Sequence, residues 1–140
     1  MSKETVNTKW LKNMAFETEV SGHKFTMDAG PQVGGENLGP RPKALMLAAL
    51  GGCTGMDVIS ILGKMRVEVD SFNVVVEGEL TEEHPKHFTK MHVTYEFTGK
   101  NLPLDKLKKA VELSEERYCG VSATLKKALE LTTEIKVTES

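Results

Sequence analysis

The sequence has no excess of positive charge. Its 18 lysine and arginine residues are outnumbered by 20 aspartate and glutamate residues, and its pI is near 6.1. A nucleic-acid-binding domain typically carries a strongly basic surface, so the composition argues against that class of protein. The first five residues contain no apolar run, and no secretory signal is expected there.

Cysteine is also scarce. Cys53 and Cys119 are the only two in 140 residues, far too few for the disulfide framework of a small secreted protein. We therefore expect a cytoplasmic protein whose cysteines begin as thiols. No second cysteine pair completes a tetrahedral zinc site, and no metal is expected. Two interpretations stay open: a redox-active pair, or two buried cysteines that behave as small hydrophobic side chains.

The most apolar stretch covers residues 42–62 and is predicted to form a buried central helix at about 42–65. Pro42 suits a first helical turn, and the Ala, Leu and Met residues that follow favour a helix. Because nearly every position from 44 to 50 is apolar, we expect this helix to be covered on all sides. Asp57 and three glycines interrupt the run, so no membrane span is expected.

The remaining segments predict an α+β fold in a single domain, 1–140, with the order β-β-β-α-β-β-α-α-β. The predicted elements are two or three strands in 5–28, strands at 67–80 and 88–97 that pair as an antiparallel hairpin, a helix from 103, a short helix at 121–129 and a last strand at 135–137. Hydrophobic residues make up only 39% of the chain. This modest share suggests that a second copy of the chain completes the core.

A cluster of histidines and one aspartate are further candidate site residues. His84, His87 and His92 lie close together in sequence, but no carboxylate pattern completes a metal site, and they are interpreted as solvated side chains. Asp57 lies one helical turn after Cys53 and shares its face. Its negative charge is expected to raise the pKa of the thiol.

Several motifs together resemble one known family, the OsmC/Ohr superfamily (osmotically inducible protein C and organic hydroperoxide resistance proteins). The motifs are Gly34-Gly35, Pro42, the run Leu-Ala-Ala-Leu-Gly-Gly-Cys ending at Cys53, Asp57-Val58, and the segment from Tyr118-Cys119 to Leu125. The helix motif is similar to that of an OsmC-like subgroup. The resemblance implies an intertwined homodimer in which sheets from both chains wrap two central helices.

The resemblance also implies a function. It implies thiol-dependent reduction of organic hydroperoxides or hydrogen peroxide at the dimer interface. Cys53 matches the peroxidatic cysteine of the family and Cys119 the resolving one, with a Cys53–Cys119 disulfide as the oxidised product. A dithiol or small-thiol reductant would restore the pair, without a metal or organic cofactor, and no nucleic-acid or membrane partner is implied.

The chain departs from the best-studied peroxidases of this superfamily in two places. Those enzymes set an arginine from the N-terminal strands beside the reactive sulfur, whereas this chain has no arginine before Arg41. They also carry a glutamate just after the helix-opening proline, where this chain has Lys43. Arg41, Lys12 or Glu36 is therefore predicted to tune the Cys53 thiolate in their place.

These departures keep two alternatives open. The fold could bind a small apolar or acyl ligand at the dimer interface without turnover, or it could act as a redox sensor whose disulfide changes a partner surface.

Overall fold

A computed structural model describes residues 1–140 and confirms the α+β class and the predicted order of elements. The strands are β1 (Asn7–Lys12), β2 (Ala15–Val20), β3 (His23–Met27), β4 (Ser71–Leu80), β5 (Phe88–Gly99) and β6 (Glu130–Glu139). The helices are α1 (Pro42–Lys64), α2 (Leu104–Leu113) and α3 (Gly120–Leu125), with a short 3₁₀ turn at Pro31–Val33 and one π-helical turn at Ser114–Tyr118. The chain divides into two compact units, 1–46 and 47–140.

The first unit is built on an antiparallel sheet in the order β1-β2-β3. Its turns use residues with positive φ, Asn13 in the first and the pair Ser21 and Gly22 in the second. Such residues are typical of tight hairpin turns. Many large apolar side chains of this sheet are exposed, including Trp10, Leu11, Phe16 and Phe25.

A single buried carboxylate holds the loop that follows this sheet. Asp28 is 3% exposed, and its two oxygens accept hydrogen bonds from the backbone N–H groups of Ala29, Glu36 and Leu38 at 2.7–3.1 Å. Burial alone would raise the pKa of Asp28, but these three N–H donors and the positive charge of Arg41 outweigh it and lower the pKa. The loop is thus fixed by an ionised carboxylate.

The second unit contains a sheet in the order β4-β5-β6. Strands β4 and β5 form the predicted antiparallel hairpin, and β6 returns parallel to β5 after the helical crossover. Buried side chains along β5, including Met91, Val93, Tyr95 and Phe97, supply the centre of the core.

Three predicted boundaries were wrong. The strand predicted from 67 begins at Ser71, because the Val67 N–H bonds to the Leu62 carbonyl and closes the end of α1. The helix predicted at 121–129 ends at Leu125, and the chain turns before β6. Strand β6 covers Glu130–Glu139 rather than 135–137, because its backbone pairs with β5 along its whole length, whatever its side chains.

The central helix begins and ends almost as predicted, but the expectation that it is covered on all sides was wrong for the single chain. Its fully buried residues form one stripe at four-residue spacing: Leu50, Thr54, Val58 and Leu62. Met56 and Ile59 are 73% and 47% exposed. One chain has only enough packed elements to cover one face. By length and composition alone the helix could also cross a membrane, as can core helices of soluble proteins.

We expect Asp28→Asn to destabilise the protein at neutral pH, because an amide nitrogen would face N–H donors where a carboxylate oxygen now accepts. The native pKa is depressed below the ordinary value of 3.8, so the contribution of Asp28 to stability is present above that value and is lost as the pH falls through the native pKa. Urea unfolding across the acid range measures this difference.

The control is Glu19→Gln, which removes a carboxylate from an exposed position on β2. The stability gap between wild type and Asp28→Asn should close in acid, while the control stays close to wild type throughout. A gap of equal size at neutral and acid pH would contradict the role given to the carboxylate.

Candidate active site

The structure brings the two cysteines together although they are far apart in sequence. The Sγ atoms of Cys53 and Cys119 and a carboxylate oxygen of Asp57 lie within 4.8 Å of one another. Both cysteines are free thiols. A disulfide requires sulfur atoms about 2.05 Å apart, so the pair is close enough for a side-chain movement to join them but is not yet bonded.

The position of Cys119 depends on the π-helical turn at the end of α2. The Cys119 N–H donates to the Ser114 carbonyl at 2.7 Å, which closes the wide turn. Such single π turns are frequent at functional sites. The chain then turns into α3, where Cys119 is the N-cap and its Sγ accepts a hydrogen bond from the Ser122 N–H at 3.3 Å. Cys119 is only 3% exposed, so it faces the interior.

A chain of buried hydroxyl groups leads from the core to Asp57. The Tyr95 hydroxyl lies 2.7 Å from Thr54 Oγ1, which lies 2.7 Å from Ser114 Oγ. Ser114 in turn donates to Asp57 Oδ2 at 3.0 Å. Because each hydroxyl has one proton, a carboxylate at the end gives all three bonds the same direction, from Tyr95 through Thr54 and Ser114 to Asp57.

The surroundings of Cys53 disfavour its thiolate. Burial raises the pKa of the Cys53 thiol, and the nearby Cys119 and Asp57 raise it further. A backbone hydrogen bond from Val121 acts in the opposite direction but does not compensate. The prediction that Asp57 raises this pKa is therefore confirmed. At neutral pH Cys53 is held as a thiol.

An open apolar groove of about 650 Å³ runs beside this region, between α1 and β4. Its lining residues are Leu47, Ala48, Gly51, Gly52, Gly55, Met56, Ile59, Phe72, Asn73, Val74 and Val76. An added Cβ at Gly51 or Gly55 would be in contact with the Val76 or Val74 side chain, whereas Gly52 has no neighbouring atom within 4 Å. Gly51 and Gly55 therefore lie close to β4.

Comparison with known proteins identifies the family to which this chain belongs. The family model for OsmC-like proteins matches residues 34–134, which include both cysteines. The chain belongs to the OsmC-like family. Protein YhfA of Escherichia coli K12 is 37% identical over 125 residues, covering 89% of this chain and 90% of YhfA.

Solved structures with the OsmC-like fold superpose closely on this chain. A hypothetical protein from Aquifex aeolicus VF5 superposes with a TM-score of 0.87 at 30% identity, covering 100% of this chain and 99% of that one. An organic hydroperoxide resistance protein OsmC from Legionella pneumophila has a TM-score of 0.71 at 14% identity, covering 97% and 98% of the two chains. At that identity the Legionella protein supports the fold alone.

The three predicted tuning residues of this OsmC-like chain all lie in the first unit. Lys12 Nζ lies 3.5 Å from Glu36 Oε1, and both side chains are largely exposed. Arg41 Nη1 donates to Asn37 Oδ1 at 2.7 Å and to the Gly39 carbonyl at 3.1 Å. Their role beside the Cys53 sulfur remains a prediction.

Two of the three clustered histidines make their contacts in different elements. His92 contacts Thr132 and Glu134 on the neighbouring strand, at 2.7 and 2.9 Å. His87 contacts the Pro85 carbonyl at 2.8 Å. Their interpretation as strand and loop side chains agrees with these contacts.

Sequence reasoning missed the hydroxyl chain. In the sequence, Ser114 follows the apolar positions of an amphipathic helix, and Tyr95 lies in a strand of alternating apolar residues. Two features of the sequence pointed to these hydroxyls. One is a serine at an apolar position of an amphipathic helix, and the other is Thr54, which follows Cys53 in an apolar helix. Buried hydroxyls need partners, so each of these residues implied another.

We expect Asp57→Asn to lower the pKa of Cys53, because the variant removes a nearby negative charge. A unit charge about 4 Å away contributes about 1 kcal/mol in water-like surroundings, or about fivefold in thiolate population. The alkylation rate of Cys53 by iodoacetamide at neutral pH should rise by this factor. It is measured against pH in a Cys119→Ser background.

The matched control is Glu68→Gln in the same background, which removes one negative charge at an exposed position after α1. Its pH profile should coincide with that of the parent. An Asp57→Asn profile that also coincides, or that moves to higher pH, would show that Asp57 does not oppose ionisation of Cys53.

Proposed function

We propose that this OsmC-like protein is a thiol-dependent hydroperoxide reductase that works through a Cys53–Cys119 disulfide. The observation that carries the proposal is the approach of the two sulfur atoms to within 4.8 Å across two separate elements of the fold. Solved structures with this fold include proteins named for organic hydroperoxide resistance, such as the Legionella protein. An antioxidant role in the cytoplasm is part of the same proposal.

The reaction has two steps. The Cys53 thiolate attacks one oxygen of the hydroperoxide, the O–O bond breaks, and the alkoxide takes a proton and leaves as the alcohol, with Cys53 oxidised to a sulfenic acid. The Cys119 sulfur then attacks the sulfenic sulfur, a disulfide forms, and the hydroxyl leaves as water with the Cys119 proton. A dithiol or small-thiol reductant returns both cysteines to thiols by exchange.

The difference in exposure favours this assignment of roles. Cys53 is half-buried, whereas Cys119 is 3% exposed and is held by the Ser122 N–H. The attacking sulfur must meet a dissolved peroxide, while the resolving sulfur needs only to meet Cys53. The more accessible cysteine is therefore the attacking one.

The raised pKa of Cys53 sets a condition on activity. The thiolate is the nucleophile, so a thiol held neutral reacts slowly until a cation or a rise in pH favours ionisation. Arg41 and Lys12 are the cations proposed to act on it, with Glu36 holding Lys12. If they do not act, the rate with peroxide should keep rising above the ordinary cysteine pKa of about 8.5.

The reduced protein treated with one equivalent of an organic hydroperoxide tests the proposal. Wild type should lose both thiols and the mass of two hydrogens. Cys119→Ser should gain one oxygen at Cys53, because the sulfenic acid has no resolving partner. Cys53→Ser should react at least about 100-fold more slowly, since the remaining thiol is buried.

The Cys119→Ser variant is the matched control, because it removes one thiol but keeps the attacking one. Cys53→Ser that consumes peroxide as fast as wild type would overturn the assignment. Two thiols that persist in wild type under excess peroxide would overturn the activity itself. They would favour the alternative of an apolar or acyl ligand bound without turnover, for which the groove between α1 and β4 offers a site.

We also propose that the chain acts as a homodimer. One face of α1 carries Gly52, Met56 and Ile59, which are apolar and exposed in the single chain. The smooth surface at Gly52 would let another helix approach closely. The exposed apolar side chains of the first sheet support the same arrangement, since a solvent-facing sheet of this kind is typical of an interface.

Ile59→Glu should convert the dimer to a monomer, because a charge would be buried without a partner at the interface. Light scattering after size-exclusion chromatography should give twice the chain mass of 15.4 kDa for wild type and one chain mass for the variant. Lys106→Glu, on the exposed side of α2, is the control and should remain dimeric. A monomeric wild type would contradict the proposal.

A further inference from the structure

The two cysteines and Asp57 form a group that can serve a second purpose. Their three ligand-type atoms belong to different positions of the fold, yet they lie within 4.8 Å of one another. Two sulfurs and a carboxylate oxygen are a set of ligands that Zn²⁺ accepts. The spacing of the cysteines in the sequence predicted no metal site, because it does not show that Cys119 folds against Cys53 and Asp57.

We propose that reduced Cys53, Cys119 and Asp57 bind a thiophilic divalent cation, with Zn²⁺ as the ion of best chemical fit. In a tetrahedral site with Zn–S bonds of about 2.3 Å, the two sulfurs would lie roughly 3.8 Å apart. Atoms already within 4.8 Å need to move by about 1 Å at most to reach that arrangement. The fourth position is left for water.

The helix geometry supports two of the ligands. Cys53 and Asp57 are four residues apart on α1, a spacing that places both side chains on one face of the helix. The third ligand comes from the turn that begins α3, across from that face. Cys119 is held there by its N–H bond to the Ser114 carbonyl at 2.7 Å, so the site has one ligand from a second, fixed element.

The hydroxyl chain supplies the outer support that metal-binding carboxylates usually have. Ser114 Oγ, completely buried, donates to Asp57 Oδ2 at 3.0 Å and thereby fixes the carboxylate. Thr54 and Tyr95 fix Ser114 in turn. Outer partners of this kind commonly change metal affinity 10–100-fold when removed. This explains why a buried polar chain ends at Asp57 rather than at either sulfur.

A bound ion would exclude the peroxide reaction, because the same sulfur cannot hold a metal and attack an oxygen. Binding itself does not depend on the proposed peroxidase activity. A chain that never turns over peroxide could still hold the ion, and an active peroxidase could fail to bind it. Metal binding and peroxide reduction are therefore tested by different measurements.

The test uses the full chain, reduced and stripped of metal, titrated with Co²⁺ without oxygen. We expect one ion per chain, a thiolate-to-cobalt charge-transfer band in the near ultraviolet, and visible bands with the intensity of tetrahedral coordination. Zn²⁺ should displace Co²⁺ and abolish the visible bands. Zn²⁺ should also protect both thiols from iodoacetamide.

Single substitutions test which side chains bind the metal ion. Cys53→Ser and Cys119→Ser should each lose the charge-transfer band or most of its intensity, and Asp57→Asn should weaken binding at least tenfold. Ser114→Ala should weaken it while keeping the band, and Ser60→Ala, an exposed serine on α1, should not change it. Circular dichroism confirms that each variant is folded, and Asp57→Asn tests the site if a cysteine variant does not fold.

The result that overturns the proposal is equally specific. Co²⁺ spectra without a thiolate band would exclude the site. So would binding that survives both cysteine variants but is lost in a His84→Ala/His87→Ala double variant, since the ion would then be held by the exposed histidines of the loop before β5.

Discussion

The buried hydroxyl of Thr54 is the interaction on which the arrangement of the second unit depends. It is the only polar group among the four buried residues of α1, and it bonds to both Tyr95 and Ser114. These three residues come from the central helix, the central strand and the π-helical turn. A buried hydroxyl without a partner costs about 1–3 kcal/mol, so Thr54 fixes which parts of these elements face each other. The cysteines meet beside this point.

The same constraint explains the geometry of the thiols. Ser114 bonds to Thr54 and Asp57 at the start of the π-helical turn, and this turn leads to Cys119, the buried N-cap of the next helix. Cys53 lies one residue before Thr54 on the helix. The distance between the sulfurs therefore depends on the hydrogen bonds of Thr54 and Ser114, together with those that Cys119 makes through its own N–H and Sγ.

Local patterns were enough to predict the order of the elements, the central helix and the β4–β5 hairpin, because alternation and helical composition are encoded in short stretches. They failed where long-range pairing decides the structure. Strand β6 is extended by β5, since its polar residues give no strand signal. The candidate site follows the same rule. Cys53, Cys119 and Asp57 were singled out from sequence, whereas Thr54, Tyr95 and Ser114 depend on contacts between residues 41 and 60 positions apart.

The site brings two thiols close together, but its electrostatics oppose the ionisation that would make Cys53 a nucleophile. Within the second unit, Cys53 is partly buried and lies near a second sulfur and a carboxylate. Each of these three factors raises the pKa of its thiol. A cysteine that is kept as a thiol reacts slowly with an electrophile, and a nearby positive charge would favour its ionisation. A cationic side chain and a divalent ion act on the same imbalance, but with opposite results: the side chain leaves the thiolate free to attack, whereas the ion occupies it. Within the second unit, Asp57 is the residue that separates the two outcomes, because its carboxylate can hold a bound ion but opposes ionisation of a free thiol.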